Sequence, residues 1–200
     1  MAGPVSDYRR MLNSLRPGYL IKQLETDKRG TFAVGLRFLA LGFFALLIAS
    51  LIQIPLSTYL IGTGMQYSYS MNQLVGLAAL LILMVVIIIF ISAMFLFARL
   101  LGGVGSFSSH FYHLSILTGG MLTVVAFLNL LPFIGLFLSL GAVFYSVYLS
   151  FLVYSRLHKL SRFRAILLSI IPLSAALLLF ILAVILLFAL LAVLTGAYSG

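Results

Sequence analysis

Long apolar runs separated by short polar and basic segments dominate the chain. A helix needs about 20 apolar residues, at 1.5 Å rise each, to cross ~30 Å of hydrocarbon. The first run extends from about Phe32 to Ile54 and stops at Pro55. The second extends from about Gln73 to Ala98, just before Arg99. A third, from Phe111 to Tyr154, is too long for one crossing, and Asn129, Pro132 and Gly135 sit near its middle. Proline lacks an N–H and disfavours helix in the residue before it, so this run is expected to divide there. The pattern predicts five spans, at about 32–54, 73–98, 112–131, 134–154 and 165–195. Pro172 is expected to kink the last one, whose surplus length tilt would absorb.

The segment before the first run has a different period. Val5, Tyr8, Met11, Leu12 and Leu15 fall at helical spacing, and Asp7, Arg9, Arg10, Asn13 and Arg16 fill the other face. Such a helix is expected to lie in the headgroup plane with its basic face on anionic lipid. Pro17–Gly18 breaks it, and Leu20, Ile21 and Leu24 start a second amphipathic turn before Lys28–Arg29. Two domains follow: residues 1–30, a cytoplasmic or interfacial amphipathic segment, and 31–200, a transmembrane domain. The fold class is all-α, a polytopic helical bundle with five spans and an N-terminal interfacial helix.

Composition agrees with membrane residence. Hydrophobic residues make up 64% of the 200 and charged residues 8%, with mean hydropathy +1.25; soluble domains are nearer half apolar and a quarter charged. The absence of cysteine excludes disulfides, thiolate metal sites and a cysteine nucleophile. A net charge of +9 raises nucleic-acid binding, but no basic stripe with interleaved aromatics exists on a soluble domain, so no nucleic-acid partner is expected. The basic first thirty residues have no long apolar core and are not expected to be a cleavable signal peptide.

The cations orient the bundle. Arg99 follows the second run, and Arg156, Lys159, Arg162 and Arg164 follow the fourth, whereas 55–73 and 195–200 carry no Lys or Arg. The positive-inside rule puts both basic loops on the cytoplasmic side, which requires an even number of crossings between them. The N-terminus is then cytoplasmic and the C-terminus outside. Arg37, shallow in the first span, reads as a snorkelling side chain, the alternative being a substrate contact or buried pair. Tyr59, Tyr67, Tyr69 and Tyr198 would mark the outer interface, and Tyr112 and Tyr154 the inner one.

Chemistry-bearing residues are few. No Asp or Glu follows Asp27, which disfavours a proton-coupled transporter and any carboxylate mechanism. His110 and His113 are three apart, and His158 in the next basic loop could join them at a metal. With no Cys or carboxylate nearby, ordinary polar contacts are preferred, and no metal, cofactor or catalytic residue is assigned. Gly102–Gly103–Val104–Gly105 lacks the Lys-Ser/Thr of a phosphate loop and reads as a flexible turn, with Ser106, Ser108 and Ser109 available as caps. Tyr145 and Tyr148 share a helix face with Gly141 and Ala142 and are expected to point into the bundle, as packing or as the wall of a cavity. Gly35, Gly42, Ala45, Ala49 and Gly119–Gly120 read as packing positions.

The run Arg99-Leu-Leu-Gly-Gly-Val-Gly-Ser-Phe resembles the second-to-third span junction of the Yip family (Ypt-interacting proteins). The run from Tyr145 through Tyr148, Tyr154, Arg156, His158 and Arg162 to Ala165 resembles its fourth span and following loop. The resemblance covers about residues 30–195. It implies five spans, a cytoplasmic N-terminus and a non-enzymatic role in membrane organisation or traffic. Eukaryotic relatives act between endoplasmic reticulum and Golgi and contact Rab GTPases through a longer N-terminal region bearing Asp-Leu-Tyr-Gly-Pro. That motif is missing here, so the Rab contact is not carried over and a prokaryotic plasma-membrane member is implied. Candidate lipid or partner contacts are Arg99, Gly102, Gly103, Gly105, Tyr145, Tyr148, Tyr154, Arg156 and Arg162. The expected partners are the bilayer, anionic lipid at the cytoplasmic face, and a membrane-protein partner or second copy. The competing expectations are a small transporter, channel or permease subunit with a path lined by Tyr145, Tyr148, Asn129 and Thr123, and a metal-dependent lipid enzyme using the three histidines.

Overall fold

The computed structural model describes residues 4–26, 30–61, 69–131, 134–171 and 174. Every regular element among them is helical: α1 (Pro4–Ser14), α2 (Pro17–Thr26), α3 (Phe32–Ile61), α4 (Tyr69–Leu100), α5 (Phe107–Leu128) and α6 (Ile134–Leu157), then α7 over 162–171. Four stretches are long and apolar enough to cross a membrane: Phe32–Ile52, Leu81–Leu100, Phe107–Leu128 and Phe137–Leu157. The chain is therefore a membrane-embedded protein, all-helical among the described residues. The fifth expected span is described only through 171 and at Ser174; the rest of it, Pro172 included, lies outside the described residues. So do the side chains of Tyr59, Tyr67, Tyr69 and Tyr198. α3 continues to Ile61 rather than stopping at Pro55, and the chain reverses between Leu128 and Ile134.

The central helix is α5. Its apolar window is 67% buried, against 17% in α4 and 22% in α6. Small residues explain the position. A Cβ built on Gly42 of α3 would stand 2.6 Å from the carbonyl oxygen of Gly119 and 2.7 Å from its Cα, so the two backbones touch. Gly35 meets the backbone of Tyr112 one level above, and Ala45 and Ala49 pack on Ala126 one level below. Gly35, Gly42 and Ala49 recur every seven residues, as do Tyr112, Gly119 and Ala126, which keeps one seam aligned along two parallel helices. In lipid, where apolar burial gives no advantage between helices, such close approach is a main source of association.

The loops 101–106 and 158–161 meet at one end of the bundle, called the basic end below. There Val104 N–H donates to the His158 carbonyl (3.2 Å), Arg164 Nη1 to the Leu101 carbonyl (2.8 Å), and Ser108 Oγ to the Gly30 carbonyl (2.7 Å). Arg99 and the Arg156–Arg164 cluster thus share an end.

The N-terminal segment, expected as an amphipathic helix in the headgroup plane, is helical. It forms a helical hairpin packed on protein. Met11 is fully buried against Gly119, and Gly120 faces the Met11 carbonyl and Leu15. Tyr8 Oη donates to the Leu41 carbonyl (2.9 Å), while Leu20 and Leu24 of α2 join the main core with Leu149 and Val153 of α6. The reason is local: Gly119–Gly120 leaves α5 without side chains where α1 crosses. Val5 and Leu12 stay exposed, as do Arg9 and Arg16, while Arg10 lies over the Tyr112 ring at 5.6 Å.

Candidate functional site

The basic end is built by two helix terminations. α4 ends in a Schellman turn: Gly103 N–H reaches the Ala98 carbonyl (2.8 Å), Gly102 N–H reaches that of Arg99 (2.9 Å), and Gly102 takes φ +89°. That left-handed conformation favours glycine. α6 ends with Lys159 at φ 54°, an uncommon setting for a side-chain-bearing residue. Ser106 caps α5, its Oγ accepting from Ser109 N–H (3.3 Å).

Between these ends sits a buried histidine pair. His110 Nδ1 lies 2.7 Å from His158 Nε2, and His110 Nε2 lies 3.0 Å from the Ile91 carbonyl oxygen. A carbonyl only accepts, so in the neutral pair His110 Nε2–H donates to Ile91 and His158 Nε2–H donates to His110 Nδ1. His158 Nδ1 is left with a lone pair and no partner. Gly103 and Gly105 close over it: a Cβ on either would stand 2.9 Å from that nitrogen. Burial, and then the nearby Arg99 charge, push the His158 imidazole down to about 4 from its ordinary 6.5. The ring is therefore neutral near pH 7, and both rings are inaccessible.

The glycine-rich loop is thus a fitted lid over His158 rather than a flexible turn. Of the three histidines, two are brought together and bind each other. His113 is buried one turn along, its ring edge-on to Tyr112 at 5.0 Å. Among the described residues no group of three His, Cys, Asp or Glu is arranged to hold a metal ion.

The tyrosines depart from expectation. Tyr145 and Tyr148 are 39% and 47% exposed, and nothing lies within 4 Å of a Cβ built on Gly141, so this face of α6 points away from the described core. The core face of α6 is instead Leu149, Leu152 and Val153. Tyr145 Oη donates to the Leu15 carbonyl (2.7 Å), which ties α6 to the hairpin. Tyr112 and Tyr154, expected as interfacial anchors, are each 2% exposed. Asn129 pairs with Ser139, and buried Thr123 donates to Gly119 of its own helix (2.9 Å), so neither joins the two tyrosines in a common path. Arg99 lies over the Phe95 ring and donates to the Gly103 carbonyl (3.2 Å), whereas Arg156 and Arg162 are exposed.

Cavities lie on two sides of α5 among the described residues. One, of ≈ 380 Å³, lies among α4, α5 and α6, with Ile87, Phe90, Val125, Ser146, Ser150 and Tyr154 on its walls. The other, of ≈ 400 Å³, lies in the N-terminal hairpin, between Arg10 of α1 and Tyr19, Lys22, Gln23 and Thr26 of α2. Sequence reasoning missed this second one, and the pattern signal for it is slight: Gln23 sits between Leu20 and Leu24 on the apolar face of α2.

Fold and site define a membrane-embedded helical bundle with a basic end sealed by a histidine pair. Comparison with family models, curated proteins and solved structures returns no match.

Proposed function

We propose that this protein is a non-enzymatic, five-span integral membrane scaffold of Yip type that organises its surroundings through contacts with anionic lipid and with a membrane-protein partner or second copy. In this reading the basic end is cytoplasmic, the N-terminal hairpin lies on the same side, and the C-terminus is outside. The observation that carries it is the basic end itself. Arg156, Lys159 and Arg162 are exposed on and beside the joined loops, where no acid occurs, a surface suited to anionic headgroups. The inaccessible histidine pair, with its fixed neutral tautomers, supports a structural rather than a catalytic role for the most chemically distinctive residues.

The test uses the protein purified in a neutral detergent and reconstituted with phosphatidylglycerol or phosphatidylcholine. Native mass spectrometry is expected to find phosphatidylglycerol retained preferentially, and the preference is expected to fall in R156Q/R162Q. Equal retention of both lipids by the parent protein overturns the reading. Because the chain has no cysteine, Ser6→Cys and Ser199→Cys report topology directly. Labelling of the two from opposite sides is expected, and labelling from the same side removes the five-span arrangement.

A further inference from the structure

Depth in the bundle can be counted from the basic end, where α3, α5 and α7 begin and α4 and α6 finish. α1 touches three of these helices at nearly one depth. Tyr8 Oη reaches the Leu41 carbonyl, nine residues beyond Phe32 in α3. Met11 meets Gly119, twelve beyond Phe107 in α5. The Leu15 carbonyl accepts from Tyr145 Oη, twelve residues before Leu157 in α6. At 1.5 Å rise per residue, α1 crosses the bundle about 14–18 Å from the basic end. Measured from that end, this is half-way through a hydrocarbon core of ~30 Å. Yet Arg9 and Arg16 of the hairpin are exposed there, and Asp7 and Asn13 partly so. α2 returns to the basic end beside Leu149 and Val153 of α6, with Tyr19, Lys22, Glu25 and Thr26 exposed. Charged side chains facing lipid at the bilayer centre are costly and rare.

The opposite side of the bundle has the reverse pattern. α1 seats on Gly119–Gly120 of α5, whereas Leu114, Met121 and Val125, on the far side of the same helix, face the groove shared with α4. α7 packs on α4 there, with Ala165 and Leu168 buried among Met94 and Ala98. The outer surfaces of α4 and α7 stay apolar up to the basic end: Leu96, Leu100, Phe163 and Ile166 are all exposed, Leu100 by 81%. We propose that the hairpin is a polar shelf that holds lipid headgroups and water about half-way down the bundle on its own face, while hydrocarbon reaches the basic end on the α4–α7 face. Beyond α1, toward the α5–α6 turn, no charged residue occurs and Phe127, Phe137, Leu140 and Phe144 are exposed. The polar-to-apolar border on the hairpin face therefore falls at α1. A border stepped in this way makes the surrounding leaflet thin beside the hairpin, or the bundle tilt, so the lipid next to α1 is deformed. The inference needs only membrane residence; it goes beyond the scaffold reading and does not use the loop cations that carry it.

The experiment places one cysteine at a time in the full, naturally cysteine-free chain. Gly18→Cys stands beside the turn of the hairpin, where nothing lies within 4 Å of an added Cβ. Leu96→Cys is exposed on α4 only four residues before Leu100, about 6 Å from the basic end. Both proteins are reconstituted in phosphatidylcholine nanodiscs, which leave the two membrane faces open to reagent. A charged, water-soluble maleimide is expected to label Gly18→Cys at least about tenfold faster than Leu96→Cys, because the reacting thiolate is excluded from hydrocarbon. Nitroxide labels at the two sites are expected to relax mainly with a water-soluble nickel complex at 18 and mainly with oxygen at 96. Gly18 is the deeper of the two along the bundle, so a flat border cannot produce that order. Equal labelling of both sites means a flat border beyond the hairpin, and shielding of both means a hairpin inside hydrocarbon; either overturns the proposal. Equal retention of phosphatidylglycerol and phosphatidylcholine ends the anionic-lipid reading and leaves this labelling order unaffected, so the two failures are told apart.

Discussion

The two flanks of α5 meet their neighbours in opposite ways, although small residues line both. Toward α3 the backbones touch at Gly42 and Gly119, Ala49 packs on Ala126, and α1 lies across the seam with Met11 fully buried. Toward α4 and α6 the helices stand apart, leaving the ≈ 380 Å³ groove beside Ser146 and Ser150. What separates them is register. On the α3 side small residues of both helices meet at the same level, repeated every seven positions, so the gaps close. On the α6 side Ala142, Ser146 and Ser150 form a small-residue stripe that faces a gap rather than another glycine. A small residue permits close contact, but only a partner at the same level turns that into packing.

Filling each flank is the strongest way to break this comparison. Gly119→Leu would drive a side chain into the Phe38 carbonyl and Met11, and is expected to cost on the order of 3 kcal/mol. Ser146→Leu would enter the groove and is expected to stay within about 1 kcal/mol of the parent. SDS titration followed by circular dichroism would measure both, and equal tolerance at the two positions would end the distinction. A smaller effect is expected at the basic end, where the groove side is tied to the loops. His110→Leu strands the His158 Nε2–H and removes the second hydrogen bond to the Ile91 carbonyl, at about 1–3 kcal/mol by the same titration. A variant as stable as the parent would show that the pair does not hold the loops together.

The remaining effect is that of pH. The His158 pKa in the folded protein, about 4, lies below its ordinary 6.5. The unfolded chain therefore takes up the proton first as pH falls. Stability is at its full value above pH 6.5 and declines toward pH 4, by at most about 1.4 kcal/mol per unit. His158→Phe is expected to flatten that slope, and a slope unchanged by the substitution would assign it to other groups.

Much of the architecture was legible beforehand. The lengths of the apolar runs and the break at Pro132 mark four long helices, because those signals are local. The two basic loops sharing an end follows from charge, because lipid excludes cations from its interior. Gly42, Ala45, Ala49 and Gly119 were recognisable as packing positions, since small residues have few other uses inside a span. The place of Tyr145 and Tyr148 outside the described core was not legible, for a physical reason. A phenol needs a partner but not a particular one, and Tyr145 finds it outside the described core, in the carbonyl of Leu15. The hairpin's packing on α5 was not legible, because an amphipathic face suits lipid and protein equally well.

By itself, then, the sequence determined a membrane-embedded, all-helical chain without cysteines and without an acid beyond Asp27. Those are properties of composition and period, and they do not depend on which residues meet. Only the tertiary structure decided that His110 binds His158, that Gly103 and Gly105 are glycines because an imidazole lies against them, that α1 seats on Gly119–Gly120, and that Gln23 is buried beside Arg10 and Lys22 without a partner. Each pairs residues distant in sequence or on different helices, and helix packing rather than local propensity selects which side chains come within reach.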